Sequence, residues 1–505
     1  MDLGYGDRSC VWGISAKLRG IMQTVPVPLF ANVYRNVDGE ELSDRNYELI
    51  DGYVDELGYS VKRPGLSLLL DLGYGTNLPV EGLFWWPHKQ VVIAVCNNKV
   101  LKLSYTSGTL SATDITTNGP GTAATPTFGI GTNANVATPT IYGVVAAGAT
   151  MTTGNGTGTT ISNFATMADA DAPTTVTHVD FIDGYLLATT GTGVFQYADV
   201  NAPTTWSAGS YANAMRNPDV IKALKVFQRQ IFLFGQVSTE IWENDGTTPF
   251  APIPGGFVDV GIVAPYSIVT NGDTMYWLDD NRHFVSYSKG VLQRVSTPYD
   301  YEIEGFSAVA DCIGARIEIR GRPFCLFQFP TEARTLAFNV AENSWSEWRR
   351  WDTTYGEYQH FEAKSYCYSP DWGLHLVGSR RDSKIYALSP DYKSDNGDPI
   401  RFKKVTGHID YGTTKRKRSN ELRIRCKRGE GVSGGGQAVM MLRWKDDNRQ
   451  WSNEHQVSLG SIGETETVVR LFPRGVYRTR QYEVTVTDNV GFTFGSAEED
   501  IDVLG

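Results

Sequence analysis

IKALKVFQRQIFLFGQVSTEIWENDGTTPFAPI, residues 221–253, holds three short apolar or alternating runs separated by polar turns. Alternation over a few residues puts successive side chains on opposite faces of a strand, and Gly, Asn and Asp supply the turns between strands. The stretch reads as one small antiparallel sheet. Residues 81–113, 178–208, 265–297, 316–351 and 360–390 follow the same plan, often with an aromatic near the end. A sheet this small cannot bury both of its faces, so several must stack around an axis. Alternation alone would also suit unrelated meanders in a sandwich, but six repetitions of one unit favour an all-β, six-bladed β-propeller.

The boundaries follow from where the repeats stop. Residues 1–80 read as an N-terminal arm: VPVPLFANVYRNVDG (25–39) is held extended by its prolines, and Pro64-Gly65 forces a turn before an apolar strand. The first blade is 81–113. Residues 114–177 have no Lys or Arg and are rich in Thr, Gly, Ala and Asn, so they read as an inserted subdomain carried by the propeller. Within it TPTIYGVVAAG has strand-like runs, and ISNFATMADADA (161–172) is the best helical candidate in the chain. The remaining blades occupy 178–398. From 399 to 505 longer alternating segments and Gly-rich turns (GEGVSGGGQ) indicate a separate C-terminal β-sandwich-like domain.

The 505 residues suffice for two or three domains with sizeable cores. No run of 18 uncharged apolar residues supports a membrane span, and the start MDLGYGDRSCVWG lacks the basic and apolar segments of a secretory signal. The six cysteines, Cys10, Cys96, Cys312, Cys325, Cys367 and Cys426, are far apart and read as free buried thiols of a reducing compartment. Neither they nor the seven histidines form a metal-ligand pattern, and no cofactor motif is present. Net charge is −10 but uneven: 18 Lys/Arg against 8 Asp/Glu between 401 and 480 give a local +10, leaving −20 for the rest. Such asymmetry bears on partners.

No constellation commits the chain to catalysis. Glycosidase chemistry needs two carboxylates at a defined separation, and Asp279, Asp280, Asp300 and Glu302 are the candidates at a propeller mouth, though each also suits a solvated turn. Trp85-Trp86 and Trp345, Trp348 and Trp351 suit a sugar groove or, more simply, packing between blades. The strongest charge run is Lys415, Arg416, Lys417 and Arg418, with Arg423 following in alternation. Without interleaved aromatics for base stacking, these five read as interface residues that dock an acidic protein surface, with DNA phosphates the second choice.

Residues 233–306 resemble the packaged-DNA stabilisation proteins, also called tail hub or nozzle proteins, of short-tailed bacteriophages. The resemblance rests on Phe-Gly-x-x-Ser-Thr-Glu-Ile-Trp at 234–242, Pro249-Phe250, GGFVDVGIVAP (255–265), Trp277-Leu278 and RVSTPYDYEIE (294–304). LGYSVKRPGL (57–66), NSWSEW (343–348) and 459–488 extend it to both ends, leaving 108–177 outside. It implies a non-enzymatic virion protein of the tail, assembled in the bacterial host cytoplasm as a homohexameric ring below the portal–adaptor proteins. The ring would continue and close the channel for double-stranded DNA, retain the packaged genome and dock fibres or a tail needle or tip. The arm at 1–80 would make ring and adaptor contacts. The alternatives are a propeller glycoside hydrolase acting as an envelope depolymerase, and a sugar-binding adhesin.

Overall fold

The structure is a computed structural model that describes residues 23–27, 48–122, 125–133, 140–156, 161–191, 193–214, 219–246, 249–430, 432, 436–464, 468–472 and 475–504. Its local logic is visible in the first blade. Strands Val80–Trp86, Val91–Cys96, Lys99–Thr106 and Thr109–Asp114 pair in order. Asn97 (φ 52°) and Asn98 (φ 56°) both turn left-handed between the second and third strands, which matches the twist of a two-residue hairpin. The same device recurs in blade 4, where Gln228 and Arg229 take φ of 51° and 60°.

Among the described residues the strands form seven blades, where six were expected. Four-stranded sheets lie at 80–114, 127–166, 178–213, 223–258 and 269–294, and a sixth set of four paired strands at 313–347. The seventh blade combines three strands at 363–389 with Gly65–Thr76, whose Gly65 pairs with Ser389 and Thr76 with Asp382. The outer strand of the last blade thus comes from ahead of the first one, which ties the circle shut. Seven apolar clusters fill the seven gaps between neighbours, the last joining Val80, Leu83 and Val92 of blade 1 to Cys367, Leu376 and Ile385 of blade 7.

The extra blade is the segment expected to be an insertion. Its glycines receive neighbours' rings: a Cβ at Gly143 would sit 3.0 Å from Trp86 Cζ3, and one at Gly154 2.5 Å from Phe164 Cδ2. The helix expected over 161–172 is absent. Ala165–Thr166 is instead the outer strand of blade 2, flanked by buried Phe164 and Met167, which enter the gaps toward blades 1 and 3. The described α-helix is the five-residue Asp300–Glu304. Because blade 2 is a member of the ring, Phe164→Ala should cost about 3–5 kcal/mol. Chemical denaturation of the variant checks this, and a midpoint like the wild type would restore the view of 114–177 as a dispensable excursion.

The N-terminal arm is likewise woven in wherever it is described. Glu48–Ile50 pairs in parallel with the outer strand of blade 6 (Ile50 with Glu347) and antiparallel with Phe402–Val405. One nine-stranded sheet therefore runs from blade 6 into the C-terminal domain. The opposing sheet contains Gly52–Val54, Ser60–Lys62, Thr493–Val503, Lys417–Cys426 and Val468–Leu471, with Gln23–Val27 added beside Thr493–Val503. Leu49, Phe402, Ile424, Met440, Val484 and Phe494 are among the residues that fill the space between them. Residues 1–22 and 28–47, with Cys10, lie outside the described residues. The other five cysteines are free and buried, and burial pushes the thiols of Cys96, Cys325 and Cys367 up to about 12, where they are inert.

Candidate functional site

The strand Lys417–Cys426 lies in the middle of one sandwich sheet, with Thr493–Val503 on one side and Val468–Leu471 and Gly475–Tyr477 on the other. Alternation along it decides which cations reach solvent. Lys415, Arg416 and Arg418 are exposed, whereas Lys417 is fully buried. The Lys417 ammonium donates to the carbonyls of Thr413 (2.6 Å) and Lys415 (2.9 Å), and burial lowers its pKa. Arg423 is held within the chain: its guanidinium donates to Asp500 Oδ1 (2.7 Å) and Thr24 Oγ1 (3.3 Å), with Glu421 and Glu498 within 4 Å. Of the five interface candidates, three form an exposed ridge, one anchors the turn beneath it and one fastens the N-terminal strand.

The ridge is wider than the charge run indicates. Arg418 is in register with Val476 and Asp502, and Lys417 with Tyr477 and Val503. Val476, Val503 and Arg478 are exposed, so two apolar side chains and a further cation join the edge. The alternation in GVYR (475–478) was the available signal, since it sends Val476 and Arg478 outward and Tyr477 inward, where it meets the buried Arg480 that opens the next strand. Those inward residues build a rigid floor. The Tyr477 hydroxyl donates to Glu499 Oε2 (2.8 Å), as does that of Tyr411 (2.7 Å). Arg480 donates twice to Asp446 (2.6 and 2.9 Å) and stacks 3.9 Å over the Tyr477 ring.

The carboxylates considered for sugar chemistry are occupied elsewhere. Asp279 accepts from the backbone of Asn281 and His283, Asp280 from Gly261, Asp300 from Ser296 and Arg294, and Glu302 from Arg334. The tryptophans pack: Trp345 donates to Val295 O, Trp348 to Gly52 O, and Trp351 lies 4.0 Å under Arg401. Among the described residues no group of His, Cys, Asp and Glu has the arrangement of a metal site. No described helix is long and apolar enough to cross a membrane.

Residues 55–393 match the family model Phage_stabilise, described as the bacteriophage P22 Gp10 β-propeller. No curated protein matches the chain. Among solved structures, similarity is found to the WD40 β-propeller domain of Doa1, at 13% identity over 65% of this chain and 97% of that one with a TM-score of 0.38. The computationally designed Ika8 protein is similar at 10% identity over 64% and 99%, with a TM-score of 0.33. PorZ of Porphyromonas gingivalis, a component of its type-IX secretion system, is similar at 10% identity over 78% and 46%, with a TM-score of 0.37.

Proposed function

The chain belongs to the phage-stabilisation family of the bacteriophage P22 Gp10 β-propeller, a family of phage structural proteins, and on that premise we propose that it is a hexameric tail hub. In this reading the hub sits below the portal–adaptor complex, closes the DNA channel after packaging and carries fibres or a tail tip. The observation that supports it most is the continuous sheet from blade 6 into the C-terminal sandwich, which makes propeller and sandwich one stiff block. Stiff blocks with closed sheets suit ring assembly, because they leave few edges for unwanted pairing. The basic ridge then meets an acidic face of a neighbour, for which the −20 outside 401–480 provides the charge.

The channel in this reading lies between copies rather than along a propeller axis. His178 in the first strand of blade 3 hydrogen-bonds Pro265 O (3.2 Å) and stacks on Tyr266 (4.9 Å), both from the connection between blades 4 and 5. In this reading the buried His178 and the half-buried Tyr266 bridge blade 3 and the blade 4–5 connection across the space that an axial duplex would need. The test is DNA retention in particles assembled with and without the chain. Heads that package and then leak, and that hold their genome once purified protein is added, are the expected result. Full, stable heads that fail only in infection would overturn it and favour an envelope-directed activity.

A further inference from the structure

Where the propeller meets the C-terminal sandwich, a recess of about 70 Å³ opens to solvent. It is lined by Lys62, Arg63, Arg320, Lys393 and Lys427, with the Tyr53 ring and the 490–493 backbone completing the wall. Among the described residues no carboxylate lines it. Those nearby are turned to other work: Asp51 and Asp395 hold Arg63 from behind, and Glu430 holds Lys427. Lys62, Arg320 and Lys393 have no carboxylate oxygen within 4.0 Å among the described residues. The Lys62 ammonium donates to Asp488 O (2.7 Å) and that of Lys393 to Pro390 O (2.6 Å).

Arg63 and Lys427 have their own carboxylates, but setting Lys62, Arg320 and Lys393 beside them around one small space is unfavourable unless something negative enters it. Lys62 records that cost. Burial and the adjacent Arg63 bring its pKa down to about 8, against the opposing influence of Asp51, Asp395 and Asp488. The charges are also graded. Lys62 and Arg63 are buried at the floor, Lys393 is half-buried, and Arg320 and Lys427 are exposed at the mouth, which is the layout of an electrostatic funnel.

We propose that this recess binds a single phosphate-class oxyanion that fastens the propeller to the sandwich. A planar carboxylate is satisfied by one guanidinium fork, whereas donors converging from several sides suit an anion with oxygens on every side. The recess has room for one such group and its lining comes from five separated parts of the chain. Arg320 lies in a blade 6 turn, Lys393 follows blade 7, and Lys62 and Arg63 precede blade 1, facing Lys427 and 490–493 of the C-terminal domain. An anion that accepts from Lys62, Arg320 and Lys393, in the field of Arg63 and Lys427, stabilises the junction by mass action.

The test uses the full chain and inorganic phosphate. Calorimetric titration at pH 7, and thermal unfolding in phosphate against chloride at equal ionic strength, should show saturable binding and a raised midpoint. The variant Arg320→Gln/Lys393→Gln removes two donors that hold no carboxylate, and should bind phosphate at least about tenfold more weakly with an unchanged midpoint in chloride. Should that variant fail to fold, Arg320→Gln alone, at the exposed mouth, serves the same comparison. A short DNA duplex distinguishes the sources: displacement of phosphate by duplex supports the site with a backbone phosphate as its occupant, and no displacement supports it with a free anion. Phosphate no better than chloride, or binding undiminished in the variants, would overturn the assignment.

Discussion

Arg63→Ala is expected to destabilise the chain by about 3–5 kcal/mol, among the largest effects available to a single substitution. The Arg63 side chain is fully buried and spends its donors on two aspartates. Nε donates to Asp51 Oδ1 (2.6 Å), Nη1 and Nη2 to Asp395 (2.9 and 2.6 Å), and Nη2 also to Arg349 O (2.7 Å). Truncation leaves two buried carboxylates without their cation at the place where blade 6, blade 7 and the sandwich join. Urea denaturation should show the lower midpoint, and hydrogen exchange should show protection lost first at 48–54 and 394–399. An unchanged midpoint would mean that the junction is held by apolar packing alone.

Asp51→Asn should be far milder, because Asp51 Oδ2 is buried without a hydrogen-bond partner and Oδ1 makes the contacts. Burial pushes the Asp51 carboxyl up to about 6, against the pull of Arg63. The folded state therefore favours the protonated form. Its contribution to stability is greatest below the ordinary value near 4 and is lost as pH rises through about 6. The asparagine variant should flatten that part of the pH–stability curve.

Much of this molecule follows from local pattern, and what escapes does so for two physical reasons. Apolar alternation located six of the seven blades and the C-terminal sandwich because their strands carry their own large side chains. Blade 2 does so less: five glycines interrupt TFGIGT, IYGVVA and TTGNG, and rings from outside these three strands, Trp86 and Phe164, fill the space beside Gly143 and Gly154. A strand packed largely by others' rings looks like a linker when read alone. The second reason is distance along the chain. GLSLLLDLGYGT (65–76) is legible as a strand, but nothing local says that its partner is Asp382–Ser389. The Arg63–Asp395 pair is hidden in the same way. At the basic edge the sequence supplied the charge, while the pairing of Lys417–Cys426 determined which of those cations face out.

That distinction governs the assembly experiment. The triple variant Lys415→Glu/Arg416→Glu/Arg418→Glu is expected to keep the fold and, if the ridge docks an acidic neighbour, to weaken assembly at least about a hundredfold by setting like charges against each other. The three side chains are exposed and take no part in the ion pairs that hold Arg423, so the sheet loses nothing by their reversal. Lys417 must be left alone. Its ammonium faces two carbonyl oxygens, and Asp410, Asp447 and Glu499 lie close enough to act on it. A glutamate there would bury a negative charge among acceptors, at a cost of several kcal/mol by the general penalty for such groups. Reversing all four positions would therefore abolish assembly through unfolding, whatever the ridge does. Sedimentation of the triple variant, with circular dichroism as the check on folding, separates the two. Assembly at wild-type concentration and wild-type salt dependence would show that the ridge docks nothing, and the acidic complement would then have to be sought for the remaining exposed cation of this edge, Arg478.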